Sequence, residues 1–507
     1  MQLLTPLLLD SLKRNAERPA ISFIRQGRRE TDLSFQELDR DSARLASLFA
    51  DRGVSRGDRV FFSLGKSLFF VTAYLAVHRL GAIAVPCNPD FTRSEKVYLV
   101  EDAGPTLIIS REKDRAIFQE IAPAASVMAI DETRPYQDLP DRHAPAVLPG
   151  VTTAHDPDDP ALIIYTSGTT GPPKGAVLTQ SNLAHDALNV IRIWEIGDRD
   201  RLLHALPLFH VHGLCFALTT CLLNGASIAM LNRFQADEVL ALLLSKDSSC
   251  TLFMGVPTMY TRLLDSLEQG PEAFEHIRLW TSGSAPLKPA EFGRIAKRLG
   301  KPPVEREGMS ETGMNFSNPL HGVKKPGSIG LPLPGLQVRI IDPETGSDLK
   351  TGQVGEIWLK SPSISPGYWN KPSETTAAFQ DGWFKTGDLG KKDADGYYYL
   401  TDRLKHIIIS GGENISPKEI ENRLNQLEAV FESAVFPLPD ETYGEKVAAA
   451  VVPHPGATIE TAELQAYCRE HLHKWKCPKQ FFIVDQLPRN TMGKVLKHEL
   501  QLLAEGS

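Results

Sequence analysis

Short apolar runs of strand length alternate with stretches of helical periodicity through most of this chain, and that alternation limits the fold more than any other feature. "AISFI", "DRVFFSL", "AIAVPCN", "TLIIS" and "ALIIYTS" are such runs. "SFQELDRDSARLASLFADRG" and "SLFFVTAYLAVHRLG" lie between some of them, repeat apolar residues at helical spacing and end near a glycine. Strands alternating with helices predict α/β layers with largely parallel sheets. Residues 326–368 break the pattern. There "GLQVRIIDPETGSDLKTGQVGEIWLKS" reads as strands joined by Gly- and Asp-containing turns, which predicts a β subdomain. After "YYYLTDRLKHIIISGGENISP" comes a compact α+β segment. Within it "SPKEIENRLNQL" is a helix with Ser416 as N-cap and Pro417 as first helical residue, and "VFESAVFPLPD" and "EKVAAAVVPH" are strands. A chain of 507 residues exceeds one ordinary core. The expected layout is a large N-terminal domain over 1–402, made of layered α/β subdomains plus the β subdomain, and a small α+β C-terminal domain over 403–507.

Charge and cysteine usage exclude several function classes. The 55 basic and 62 acidic residues are well mixed and sum to −7, which makes the chain a poor nucleic-acid binder. Cys87, Cys215, Cys221, Cys250, Cys468 and Cys477 are scattered without a Cys-x-x-Cys pair, so zinc ribbons and redox pairs are disfavoured and a reducing cytoplasm is expected. The opening "MQLLTPLLLDSLKRN" places its basic residues after the apolar stretch, the reverse of a secretory signal, and reads as an amphipathic helix. No apolar run reaches the roughly 18 residues of a membrane span. The sequence carries no signal for oligomeric state.

The densest functional signal is "YTSGTTGPPKGAVLTQSNL", residues 165–183. It follows the strand "ALIIY" and precedes an extended "AVLT" and a helical "SNLAHDALNVIRIW". Gly168, Gly171 and Gly175 allow close approach of backbone amides to a ligand. Thr166, Ser167, Thr169 and Thr170 supply hydroxyls and Lys174 a cation, a set suited to polyphosphate. A Walker A loop is excluded, because Pro173 and Gly175 stand where that pattern needs Gly and Ser or Thr. Gly-x-Gly-x-x-Gly fails on spacing too.

This stretch resembles the phosphate-loop signature of the AMP-forming adenylate synthetases: acyl-CoA synthetases, luciferases and peptide-synthetase adenylation domains. Further motifs of that family follow in order over nearly the whole chain. The resemblance implies a two-step ligase. ATP and a carboxylic acid give an acyl-adenylate and pyrophosphate, and CoA then takes the acyl group. By that resemblance Thr166, Ser167, Gly168, Thr169, Thr170, Gly171 and Lys174 bind the departing phosphates. "EREGMSETG" (305–313) implies Glu311 as the Mg2+ carboxylate and Ser310 near the α-phosphate, while Glu307 replaces the aromatic that commonly stacks on adenine. Gly283, Ser284 and Ala285 of "WTSGSAPL" would line the adenine and acyl sites. Asp388 of "FKTGDLG" and Arg403 would hold the ribose, Lys405 would mark the hinge of a mobile C-terminal domain, and Gly411 and Gly412 would approach the CoA tunnel. His406 replaces an acidic residue common beside that hinge. Lys494 in "LPRNTMGKVLKHEL" would reach the carboxylate and α-phosphate during adenylation.

The acid is written less clearly. His210 of "PLFHVHGL" would lie by the carboxylate pocket, with His212 structural and no third ligand at hand for a metal. "MGVPTMYTRLLD" and "HIRLWTSGSAPL" resemble malonyl-CoA synthetases, and Arg262 and Arg278 could pair with a second carboxylate. Malonate or methylmalonate is the favoured acid. A medium- or long-chain fatty acid, an aromatic or alicyclic acid, and a carrier-protein thiol in place of CoA stay open, as does a nucleotide-binding module without catalysis.

Overall fold

A computed structural model describes residues 2–132, 134, 136, 154–166, 172–245, 248–410, 413–489 and 495–505. The chain forms two compact units: Met1–Gln337 with Lys360–Phe384, and Val338–Leu359 with Lys385–Ser507. The boundary expected at 402/403 falls inside the second of them.

The first unit carries two large sheets. One has nine strands, ordered Leu331–Pro332, Gly313–Ser317, Val304–Met309, Leu279–Ser282, Leu252–Gly255, Arg201–His204, Ser227–Leu231, Pro19–Arg25 and Arg28–Ser34. From Val304–Met309 to Pro19–Arg25 every pairing is parallel, while both margins close with antiparallel strands. The other has seven strands, ordered Gly367–Tyr368, Lys174–Thr179, Pro160–Thr166, Ile83–Pro86, Arg59–Ser63, Leu107–Arg111 and Ser126–Ile130. It is parallel except for its first three strands. The near-continuous apolar runs explain this: Val60, Phe61 and Phe62, Ile83 to Val85, and Leu107 to Ile109 are buried, as strands covered on both faces must be. All five apolar runs read from the sequence are strands here, so the α/β expectation holds.

The helices follow the same logic. Leu68–Arg79 is apolar around its circumference and buried from Leu68 through His78. Leu4–Arg14 buries Leu4, Leu8 and Leu12 on one stripe. Phe35–Asp51 starts at a capping box in which the Ser34 hydroxyl accepts from the Glu37 amide while Glu37 Oε2 accepts from the Ser34 amide.

In the second unit one sheet includes Gln337–Ile341, Gly355–Lys360, Trp383–Lys392 and Tyr398–Arg403, the first two of which lie in the stretch 326–368 expected to be β-rich. Another pairs Val430–Asp440 with Gly444–Pro453, and Gln480–Ile483 adds in parallel. The helix Pro417–Leu424 begins as predicted, with the Ser416 side chain accepting from the Glu419 amide. Its start is also fastened by Asp402, whose Oδ2 accepts from the Ser416 hydroxyl at 2.6 Å and the Lys418 amide at 2.9 Å. Among the described residues no helix is long and apolar enough to cross a membrane.

Candidate active site

The glycine-rich loop joins two antiparallel strands. Thr166 pairs with Lys174 and Tyr165 with Gly175, and the Thr166 hydroxyl donates to the Lys174 carbonyl. The helix Gln180–Trp194 starts only after the return strand, capped by Thr179 and Asn182. A Walker loop runs from strand directly into helix, so the arrangement differs in topology as well as in sequence. Ser167, Gly168, Thr169, Thr170 and Gly171 lie outside the described residues, as do Gly411, Gly412 and Lys494. Lys174 Nζ stands 5.3 Å from the Tyr368 ring centroid. The Tyr368 hydroxyl in turn donates to Glu311 Oε1 at 3.1 Å.

Ser310, Glu311 and Thr312 form the tip of the hairpin between Val304–Met309 and Gly313–Ser317. The tip is held from below by Asp186 on the helix after the glycine-rich hairpin, whose Oδ1 accepts from the Met314 amide at 2.8 Å. Burial raises the Asp186 carboxyl to about 7, against the pull of that amide and of Arg306. No cluster of three or more His, Cys, Asp or Glu able to hold a metal occurs among the described residues. Glu311 offers a single hard carboxylate, which fits Mg2+ only where phosphate and water complete its shell. Glu307, in the place of an aromatic, has its Oε2 accepting from Asn315 Nδ2 at 3.1 Å.

A second buried cluster gathers around a residue that sequence reading passed over. Arg306 is fully buried, and its Nε and Nη2 lack any hydrogen-bond partner. Its guanidinium lies 5.1 Å from the Phe216 ring centroid. It packs so closely under Gly283 that a Cβ there would sit 2.5 Å from Arg306 Nε, which is why the "SGSA" turn needs glycine. Burial lowers the guanidinium to about 10, with Glu307 and Asp186 opposing, so it stays charged at neutral pH. Beside Gly283, Ser284 has φ +68° and accepts or donates across 3.1 Å to His212 Nδ1. His212 is buried, its Nε2 has no partner, and burial together with Arg306 holds it well below the usual imidazole range. His210 Nε2 is also unpartnered, and burial pushes that ring down to about 4. Both rings are therefore neutral at pH 7. His212 starts a π-helical segment, His212–Thr219, which the sequence did not announce. The signal that could have found Arg306 was a lone basic residue between Glu305 and Glu307 at the end of a buried strand.

Two arginines were expected to pair with the acid. Arg278 is a correction. Its Nε and Nη2 grip Asp200 at 2.7 and 2.6 Å, and Nη1 and Nη2 also donate to the carbonyls of Trp194 and Glu195. A guanidinium so committed ties the end of the Gln180–Trp194 helix to the nine-stranded sheet and has no edge left for a substrate. Arg262 is exposed on the helix Pro257–Asp265.

In the second unit Asp388 and Arg403 face each other across two antiparallel strands, with Arg403 Nε 2.7 Å from Asp388 Oδ1. Gly387 adopts φ +68°, and its amide donates to Glu356 Oε1. Thr386, Gly387, Arg403, Leu404 and Lys405 line a cavity of about 310 Å³. Lys405 is exposed in the short turn Leu404–His406.

The family profile of the AMP-binding enzymes matches residues 8–369, and that of the AMP-binding enzyme C-terminal domain matches residues 419–494. The chain belongs to the AMP-binding enzyme family. Within it, the chain is an acyl-CoA synthetase: its relatives are CoA ligases. It is 35% identical to the oxalate–CoA ligase of Arabidopsis thaliana, over 90% of each chain. It is 33% identical to the long-chain-fatty-acid–CoA ligase of Bacillus subtilis, over 98% of this chain and 94% of that one. Among solved structures, ATP-bound MatB from Rhodopseudomonas palustris superposes with a TM-score of 0.92 at 38% identity, over 98% of both chains.

Proposed function

We propose that the enzyme joins CoA to a small acid carrying a second anionic group, with malonate or methylmalonate as the favoured substrate. One observation carries this reading: Arg306 keeps the Nε–Nη2 edge of a buried, charged guanidinium without a partner. An unpaired charge in the interior costs several kcal/mol by general estimate, about 3–5 when a partner is removed. That edge is the one that grips both oxygens of a carboxylate. Relatedness alone does not choose the acid, since the relatives named above act on oxalate in one case and on long-chain fatty acids in the other. A fatty acyl chain leaves a buried guanidinium unpaired; a dicarboxylate completes it.

In this proposal ATP binds with its outer phosphates over the glycine-rich loop and Lys174. Glu311 and the phosphates would hold a Mg2+ ion, which when bound would supply positive charge at the α-phosphate. Asp388 and Arg403 take the ribose, Ser310 the α-phosphate, and Gly283, Ser284 and Ala285 frame the reacting carboxylate. Neutral His210 lies by that carboxylate without pairing with it. Lys494 supplies the mobile cation for adenylation, and rotation near Lys405 brings Gly411 and Gly412 to the CoA thiol. AMP release measured with CoA over malonate, methylmalonate, acetate, benzoate, octanoate and palmitate tests the reading. The two dicarboxylates should lead. Turnover of octanoate or palmitate without malonate would overturn it.

A further inference from the structure

We propose that Tyr368 is a positioning residue that sets the orientation of the Glu311 carboxylate and ties it to Lys174. Residues 365–368 hold Glu311 twice. The Ser365 amide donates to the Glu311 carbonyl at 2.7 Å, and the Tyr368 hydroxyl donates to Oε1 of its side chain at 3.1 Å. The same segment is pinned to the glycine-rich hairpin. Tyr368 pairs with Ala176 on the return strand, and the Trp369 amide donates to the Gly175 carbonyl at 2.8 Å. Its own amide donates to Thr375 Oγ1 at 2.9 Å, so the backbone under the ring is fixed from both sides.

The ring then serves two partners. Its hydroxyl faces Glu311, and its π system lies near Lys174 Nζ, 5.3 Å from the centroid. A hydroxyl held on one carboxylate oxygen fixes that oxygen and so sets the direction of the other. Lys174 and Glu311 come from different sheets, and the Tyr368 side chain meets both. It rests on the proposed reading of Glu311 as the metal carboxylate, and it goes further by naming what orients that carboxylate.

The test uses the full-length enzyme without acid, so no chemistry proceeds. Calorimetry gives the ATP dissociation constant across a Mg2+ series for wild type, Tyr368→Phe, Tyr368→Leu and Glu311→Gln, with melting curves confirming folding. Tyr368→Phe keeps the ring and should raise the Mg2+ needed for half-maximal tightening of ATP by about tenfold, the scale of one hydrogen bond to a charged group. It should leave ATP affinity without Mg2+ unchanged. Tyr368→Leu should in addition weaken metal-free ATP by about threefold, through Lys174. A wild-type Mg2+ response in Tyr368→Phe, beside a shifted response in Glu311→Gln, would overturn the role of Tyr368 alone. Identical Phe and Leu variants would remove its tie to Lys174. An unshifted Glu311→Gln would remove the metal-site reading itself, and the inference with it.

Discussion

Three charged side chains of the first unit have different work. Arg278 spends its donors on Asp200 and two carbonyls, so Arg278→Ala should cost stability, about 2 kcal/mol for a half-exposed pair, and leave KM for the acid unchanged. Denaturant titration and steady-state kinetics check this, and a raised KM would return Arg278 to the pocket. Asp186 is buried and holds its proton up to about 7, above the ordinary carboxyl value. The folded chain therefore binds the proton more tightly than the unfolded one. The stability it contributes is fully present below about pH 4 and is lost as pH rises through about 7. Asp186→Asn should flatten this part of the stability profile between pH 5 and 8, by about 2 kcal/mol. An unchanged slope by denaturant titration at the two pH values would contradict the assignment. Arg306 was easy to pass over in the sequence for a physical reason. Its motif neighbours Glu307, Ser310 and Glu311 carry the chemistry one looks for, and nothing in a linear pattern says that an arginine is unpaired. Arg262 and Arg278 drew attention because their segments resemble malonyl-CoA synthetases, and the fold gave Arg278 to Asp200.

At the scale of elements, most of the architecture was legible because burial on both faces writes strands as continuous apolar runs. The runs ending at Ile24, Ser63, Ile109 and Thr166 needed no tertiary information. The π-helical segment His212–Thr219 did need it. Its second residue has to be glycine, because a Cβ on Gly213 would run into the Pro207 carbonyl oxygen. Gly213→Ala should displace His212 from Ser284. We expect a lower melting temperature and a kcat/KM for the acid reduced by at least about tenfold, with KM for ATP little changed. Equal loss for acid and ATP would show that the whole site, and not this wall of it, had moved. The glycine-rich loop shows the opposite balance. Its composition predicts a phosphate cradle, while only the Thr166–Lys174 pairing showed that the strands flanking it are antiparallel.

At the scale of the whole molecule, the two family profiles and the alternation of helices and strands agree on one adenylate-forming enzyme. The two-step reaction predicts a separation of defects. Lys494→Ala should lower pyrophosphate exchange by about 10²-fold or more and spare thioester formation from a supplied acyl-adenylate. Near-normal exchange would refute the role given to Lys494. The central claim is narrower: a buried guanidinium selects an acid with a second anionic group. It is tested most directly by kcat/KM for malonate and for propionate in wild type, Arg306→Gln and Arg306→Lys. The wild type should favour malonate. Arg306→Gln should reduce the malonate-to-propionate ratio by about 10²-fold or more, because a site built to pair with a group rejects the analogue lacking it. Arg306→Lys, which keeps charge without the two-pronged edge, should fall between them. A ratio unmoved by either substitution would contradict the account.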